Sequence, residues 1–526
     1  MLYLYRMEKL TKKNYFFSTL LTQSWNKLIS AIDTPLWLEI FFAIILILRI
    51  PSFFEPYYYG DEMIYLALGE GIRQGIPLYL GLHDNKPPLL YLTAAIAGNL
   101  FILKVILAFW NLLTVYAFWK LVSHLFPNKP RLQNISTIIF GLLTTLPLLE
   151  GNTVNAELFM IGPIIFAFWI LLSKPNTIKN LLISGMLFSF GSLYKIPAAF
   201  DILGIIAFWI IYPAGARFSY MKFKWQSIKE FLLKSIYLSI GFMLPIGLTF
   251  VWYYLAGSFK EYLIAAYLQN FGYVSSWRAS NYPQIPFLVK NAPLLIRAGI
   301  MFLGFGSLWL LKTKLSKNFI FLSAWLLATL FAVTLSERPY PHYLIQSVAP
   351  ISILLGMIFT LKTIEQSLTI LPLTLAFFVP FYYKFWYYPT ISYYQRFISF
   401  ATKNISKNEY FNSFSTNINS NYKIADFIAK SSYKEDKVFV WSNDSSAIYS
   451  LSRRLPPTKY VADYHFLDFS NSLETINVLS QTKPKFIVIT SNSFPFPELN
   501  NFVNENYYII SAVNETQIWL HLNKSN

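Results

Sequence analysis

The sequence predicts an α-helical polytopic membrane protein of about 11–12 membrane helices, closed by a small C-terminal α/β domain outside the membrane. Three observations predict it. Apolar runs of bilayer length recur through the first three quarters of the chain. Only 13% of its residues are charged, about half of what soluble domains usually carry. From about residue 387 the composition turns to Asn, Ser and charge, and no further bilayer-length run follows.

The spans are expected at 36–54, 104–126, 134–149, 158–173, 180–195, 197–213, 235–256, 292–311, 319–335, 343–361 and 368–386. Helices are the natural choice, because a backbone in lipid must satisfy its own hydrogen bonds. The opening residues, "MLYLYRMEKLTKKNYFF", lack the apolar core and small-residue cleavage site of a signal peptide, so the first span is expected to stay as an anchor. Segment 89–126 is too long for one simple span and carries Lys104 in its middle. Residues 89–103 are therefore expected to form a re-entrant or interfacial helix, with 104–126 as the crossing.

That parity puts the basic clusters on the cytoplasmic side with the N-terminus. They are Arg6, Lys9, Lys12, Lys13 and Lys27, then Lys129/Arg131, Lys174/Lys179, the run Arg217 to Lys234, Lys312/Lys314/Lys317, and Lys362. Two crossings in 89–126 would put every later cluster on the wrong side. The outer segments then hold Asp61, Glu62, Glu70, Asp84, Glu150, Glu157 and Glu337. In the tail, "KVFVWS", "KFIVIT" and "YYIISAV" read as short strands, and "NYKIADFIAK" and "LETINVLSQT" as helices. The expected domains are 1–386 in the membrane and 387–526 as a soluble extracytoplasmic α/β domain.

The net charge of +17 does not indicate nucleic acid. The basic residues sit in short clusters between apolar runs, as the positive-inside rule and anionic headgroups require. With no cysteine in the chain, disulfides and thiolate metal sites are excluded. No Gly-rich phosphate loop or dinucleotide fingerprint occurs, which disfavours ATP-driven transport.

Chemistry concentrates in the first outer loop, about residues 55–88, and the apolar run that follows: "YYYGDEMIYLALGEGIRQGIPLYLGLHDNKPPLLYL". It sets the acidic pair Asp61-Glu62 just after the first span and Lys86-Pro87-Pro88 just before the next apolar run. Acidic side chains near the membrane plane are costly unless paired or wet, which marks them as functional candidates.

This loop resembles the first extracytoplasmic loop of the GT-C superfamily. The likeness is to bacterial family-39/83 enzymes, related to protein O-mannosyltransferases and lipid A aminoarabinose transferases. "NTVNAELFMIGP" is similar to the second outer acidic motif of these enzymes. "SERPYPHYLIQSVAP" is similar to their Arg-aromatic-x-His-Tyr motif, and "VWSNDSSAIYSLSRRLPPTKYV" to a segment of their soluble tails. The resemblance implies a cell-membrane glycosyltransferase that takes a sugar from a polyprenyl-phosphate donor and passes it to an extracytoplasmic acceptor: lipid, glycan or protein. It implies Asp61 as the base that activates the acceptor hydroxyl, with Glu62 beside it. Lys86 would hold the donor phosphate, helped by Arg338 and His342, while Glu157 would contact acceptor or sugar. Tyr65 and Asp84 complete the expected substrate-binding set. Ile64 stands where aminoarabinose transferases often have Arg, which argues against carrying over their particular sugar.

No cofactor is expected, the lipid-linked sugar being substrate. His83, Asp84 and His342 include metal-ligand types, but their spacing matches no compact ligand motif. Lys195 and Glu150 are secondary candidates at outer helix ends. Acceptor contacts are expected from the aromatics of "YLQNFGYVSSWRASNYPQIP", a long outer loop. The competing function is a transporter or flippase of lipid-linked glycans, which would gather its ionisable residues near the bilayer midplane.

Overall fold

The computed structural model describes residues 34–213, 225–270, 286–491 and 493–522, without the side chain of residue 226. The N-terminal basic residues up to Lys27, Arg217, and residues 271–285 of the aromatic outer loop lie outside these. Two compact units, residues 1–47 and 48–526, divide the chain. The described part of the first is the opening of an apolar helix, and the second holds every other element.

The membrane helices run α1 (Leu36–Arg49), α4 (Leu100–Leu125), α5 (Pro130–Leu143), α6 (Ala156–Ser173), α7 (Ile178–Tyr194), α8 (Ile202–Ile211), α9 (Trp225–Leu255), α10 (Ala292–Leu310), α11 (Lys317–Val333), α12 (Ile345–Thr360) and α13 (Ile370–Tyr382). Between α1 and α4 come two shorter helices, α2 (Gly60–Arg73) and α3 (Leu89–Ala97). Every expected span thus coincides with a helix. Among the described residues, seven helical stretches are long and apolar enough to cross a membrane, and shorter apolar helices occur at 196–211 and 317–333. The chain is a multi-pass membrane protein.

Segment 89–126 breaks where its sequence permits. Gly98 adopts φ 69° and ends α3, a left-handed conformation that glycine takes at no steric cost. Asn99 then caps α4, its side chain accepting from the Ile102 N–H at 2.9 Å. The crossing helix therefore begins at residue 100, four residues earlier than expected. The nine residues of α3 rise only about 14 Å, less than half the hydrocarbon thickness, so α3 cannot cross.

Close helix approach elsewhere relies on small residues, as in membranes generally. A Cβ on Gly185 of α7 would collide with the Leu238 carbonyl of α9, and one on Gly241 with that of Leu182.

After α13, the helices α14 (Thr390–Ala401) and α15 (Ile418–Lys430) lead into a four-stranded sheet of order β1-β2-β4-β3. Its strands are β1 (Val438–Trp441), β2 (Phe486–Thr490), β3 (Tyr507–Val513) and β4 (Thr516–His521). β1 pairs parallel with β2, in the register Val438 to Phe486. The crossover between them carries α16 (Ser445–Ser452), α17 (Asp463–Phe469) and α18 (Ser472–Thr482). β4, antiparallel to both its neighbours, is the strand the sequence reading missed. It follows β3 after the two residues Asn514 and Glu515, with Asn514 at φ 53°, a tight hairpin link of the kind Asn favours. Phe439, Trp441, Tyr460, Phe466, Ile487 and Trp519 form the core of this domain.

α2 is held down by a buried ion cluster. The Lys104 ammonium, on α4, pairs with Glu55 and lies 3.2 Å from Glu62 on α2, all three side chains fully buried. Asn152 donates to Glu55 at 2.8 Å, Tyr393 also donates to Glu55, and the Val154 N–H donates to Glu62 at 2.6 Å. Removing one member of such a cluster leaves buried charge uncompensated, at a cost of about 3–5 kcal/mol. Lys104→Met is therefore expected to lower the unfolding temperature in detergent sharply. Glu62→Gln, which leaves the Lys104–Glu55 pair, is expected to cost less. Unchanged unfolding of Lys104→Met would show that this cluster does not hold α2.

Candidate active site

Asp61 and Glu62 are neighbours in sequence but about 100° apart around a helix. Asp61, in the first turn of α2, shares a face with Tyr65 one turn on, whose hydroxyl donates to its Oδ2 at 2.8 Å. The Lys86 Nζ lies 3.7 Å from the same oxygen and 5.1 Å above the Tyr65 ring. This pair is partly open, Asp61 being 31% and Lys86 18% exposed. Glu62 points the other way, into the Lys104 cluster, where burial pushes its carboxyl up to about 7 against the pull of Lys104. This corrects the expectation that Glu62 works beside Asp61: it is buried away from Lys86 and anchors the helix that Asp61 stands on.

Lys86 is positioned through its backbone. Its N–H donates to the Tyr91 hydroxyl at 3.2 Å, and its carbonyl accepts from the Tyr79 hydroxyl at 2.8 Å. Pro87 restricts Lys86 to extended conformations, and Pro88 caps α3. Asp84 sits 3.7 Å from the Lys86 ammonium and 3.5 Å from His465 Nε2 on α17. The C-terminal domain therefore reaches the loop directly. The His83 N–H donates to the Lys459 carbonyl at 2.8 Å, and its ring packs against Tyr460, His465 and Phe469. Burial, reinforced by His465, pushes the His83 imidazole down to about 4.

A second cluster faces Asp61 from the membrane helices. His342 bonds Glu150 through Nδ1, and its Nε2 lies 3.9 Å from Glu157. Glu157, at the start of α6, pairs with Lys195 at the end of α7, and the Lys195 ammonium sits 3.8 Å over the Tyr343 ring. Tyr59, two residues before Asp61, donates to Glu150 at 2.9 Å. Burial pushes the Asp61 carboxyl up, but Lys86, His342, the Tyr65 hydrogen bond and Lys195 outweigh it, leaving the group below the ordinary carboxylate range. Asp84 is likewise held down, chiefly by Lys86 and His465, against its burial.

The expected site residues thus fall into two sets. Asp61, Tyr65, Lys86 and Asp84 form one, and Glu157 and His342 join the other. Arg338 is half-buried, on the strap that leads into the short helix of His342. Lys195, ranked second from sequence, takes the second cation's place beside Glu157. His465 was missed, and only its context in the segment after "LPPTKYV" hinted at it. His83 and His342 belong to different clusters. Among the described residues, no group of three or more His, Asp or Glu side chains is arranged to hold a metal ion.

Comparison with known proteins bears on both parts of the chain. The family model described as "Putative competence-induced protein Ccs4 C-terminal domain" matches residues 418–522. No curated protein sequence matches the chain. Among solved structures, ArnT from Cupriavidus metallidurans bound to undecaprenyl phosphate aligns with TM-score 0.54 and 11% identity, covering 93% of this chain and 98% of that one. Apo ArnT from the same organism aligns with TM-score 0.53 and 12% identity, covering 92% and 97%. The archaeal oligosaccharyltransferase AglB from Archaeoglobus fulgidus aligns more distantly, with TM-score 0.40 and 11% identity over 93% and 74% of the chains. With ArnT a GT-C superfamily member matched over nearly its whole length, the chain has the GT-C fold.

Proposed function

We propose that this protein is a membrane glycosyltransferase that moves a sugar from a polyprenyl-phosphate-linked donor to an extracytoplasmic acceptor. Residues 1–386 would form the transferase domain and 387–526 an outer domain, with the N-terminus cytoplasmic. The observation that carries the reading is the pair itself: a carboxylate held ionised, 3.7 Å from a lysine ammonium, on the segment between two membrane helices. The fold shared with ArnT, solved with undecaprenyl phosphate bound, supports it.

In this reading the acceptor hydroxyl gives its proton to Asp61 as its oxygen bonds to the anomeric carbon. The bond from that carbon to the phosphate oxygen breaks, and its electrons stay on the leaving phosphate. Lys86 meets that charge, acting through preorganised electrostatics. A donor phosphate at Lys86 competes with Asp61 for the same ammonium. Asp61 therefore loses a partner, and becomes more basic, as the donor binds. One in-line displacement inverts the anomeric carbon. Glu157, Lys195, His342 and Arg338 would line the donor and acceptor side of the same space.

Asp61→Asn keeps the shape but not the base, and should lower turnover by about 10²–10⁴-fold while donor binding persists. The assay is release of free carrier lipid from a panel of polyprenyl-phosphate sugars. Release near the wild-type rate would remove Asp61 from the mechanism. Lys86→Met should raise the KM for donor. It should also shift the acid limb of the pH–rate profile upward, because Asp61 loses the cation that keeps its pKa low. A downward or absent shift would mean that Lys86 does not set the protonation of Asp61.

A further inference from the structure

A cavity of about 490 Å³ opens beside the Lys86 loop, between residues 76–82 and the C-terminal domain. That is the size of a small-ligand site, and its lining includes neither Asp61 nor Lys86. Leu82 and Pro457 supply apolar wall, while Lys437, Lys459, Ser470 and Glu474 supply polar groups. Its charges are not spent on one another. The Ser470 hydroxyl donates to Glu474 at 3.2 Å. Asp436 pairs with Lys485 at 3.6 Å, and the Lys459 ammonium lies 5.3 Å over the Tyr460 ring. Among the described residues, no carboxylate pairs with Lys437 or Lys459. Burial alone pushes the Lys437 ammonium down, and a bound anion would offset that penalty.

The mixture selects a ligand class. An aliphatic chain would strand two ammonium groups, and a simple anion would leave the apolar wall unused. A sugar ring bearing phosphate or carboxylate satisfies both, presenting C–H faces to Leu82 and Pro457 and its charge to the lysines. The cavity is also wired to the site. The Lys459 carbonyl accepts from His83, and the next residue, Asp84, contacts Lys86.

We propose that this cavity is a docking subsite for the acceptor, and that the acceptor is an anionic glycan. The proposal rests on the transferase reading of Asp61 for the word acceptor, but not for the binding itself. The test uses the full chain in lipid nanodiscs, with glucose 6-phosphate as probe and glucose and inorganic phosphate as controls, read by saturation-transfer NMR. Wild type should bind glucose 6-phosphate saturably, and about tenfold more tightly than either control. Lys437→Glu with Lys459→Glu should weaken that binding at least about tenfold, with affinity for undecaprenyl phosphate unchanged. The neutral pair Lys437→Gln and Lys459→Gln serves if charge reversal prevents folding. Asp61→Asn should bind the probe as wild type does. Failure of wild type to bind the probe, or binding that survives both lysine pairs, overturns the proposal. So does markedly tighter probe binding in Asp61→Asn, which frees the Lys86 ammonium and would place the anion there instead. No release of carrier lipid by wild type from any donor of the panel, with probe binding intact, would sink the transferase reading and leave the anion site standing.

Discussion

The 100° step between consecutive residues of α2 is the constraint from which the site follows. Two adjacent carboxylates on a loop would repel and share one environment. On a helix they are sent to different faces. Glu62 goes to the interior, where Lys104 and the Val154 N–H receive it, and Asp61 goes to the open face with Tyr65 and Lys86. The buried face fixes the rotation of the helix, and that rotation aims Asp61. Without a cation on α4 to hold Glu62, nothing would choose which of the two acids faced the cleft.

Around that choice the acids share their partners. Asp61 and Asp84 share Lys86, while Glu150 and Glu157 share His342 and Lys195. Apart from Asp84 and Lys86, which stand on one loop, each acid and its partner come from different stretches of chain. The loop from residue 76 to 88, the ends of α6 and α7, and the strap before α12 are thereby tied together at one level. Such networks keep their geometry without a bound substrate, as preorganised electrostatics requires.

Much of this was legible in the sequence, for identifiable reasons. Apolar runs located the helices because lipid leaves the backbone no alternative. Asp61 and Lys86 stood out because an acidic pair just after one span and a Lys-Pro-Pro just before the next apolar run are local signals, and Tyr65 came with the family resemblance. Glu62 was misread because sequence shows adjacency, whereas the partner that claims it, Lys104, is 42 positions away. His465 was invisible for the same reason, contacting Asp84 from across most of the chain. β4 escaped because "TQIWLH" mixes polar and apolar residues and does not declare itself without β3 beside it.

The span between Asp84 and His465 also sets a clock. Ribosomes add about 5–20 residues per second, so His465 emerges on the order of 20–80 s after the loop it touches. Until then the nascent chain holds Asp84 and Lys86 without the C-terminal domain, and α2 lacks the Ser450–Met63 contact that docks α16 upon it. The membrane portion is thus made first and finished last, its centre assembled only when nearly all the polypeptide has been translated. A prematurely terminated product would insert in the bilayer yet remain incomplete where it matters.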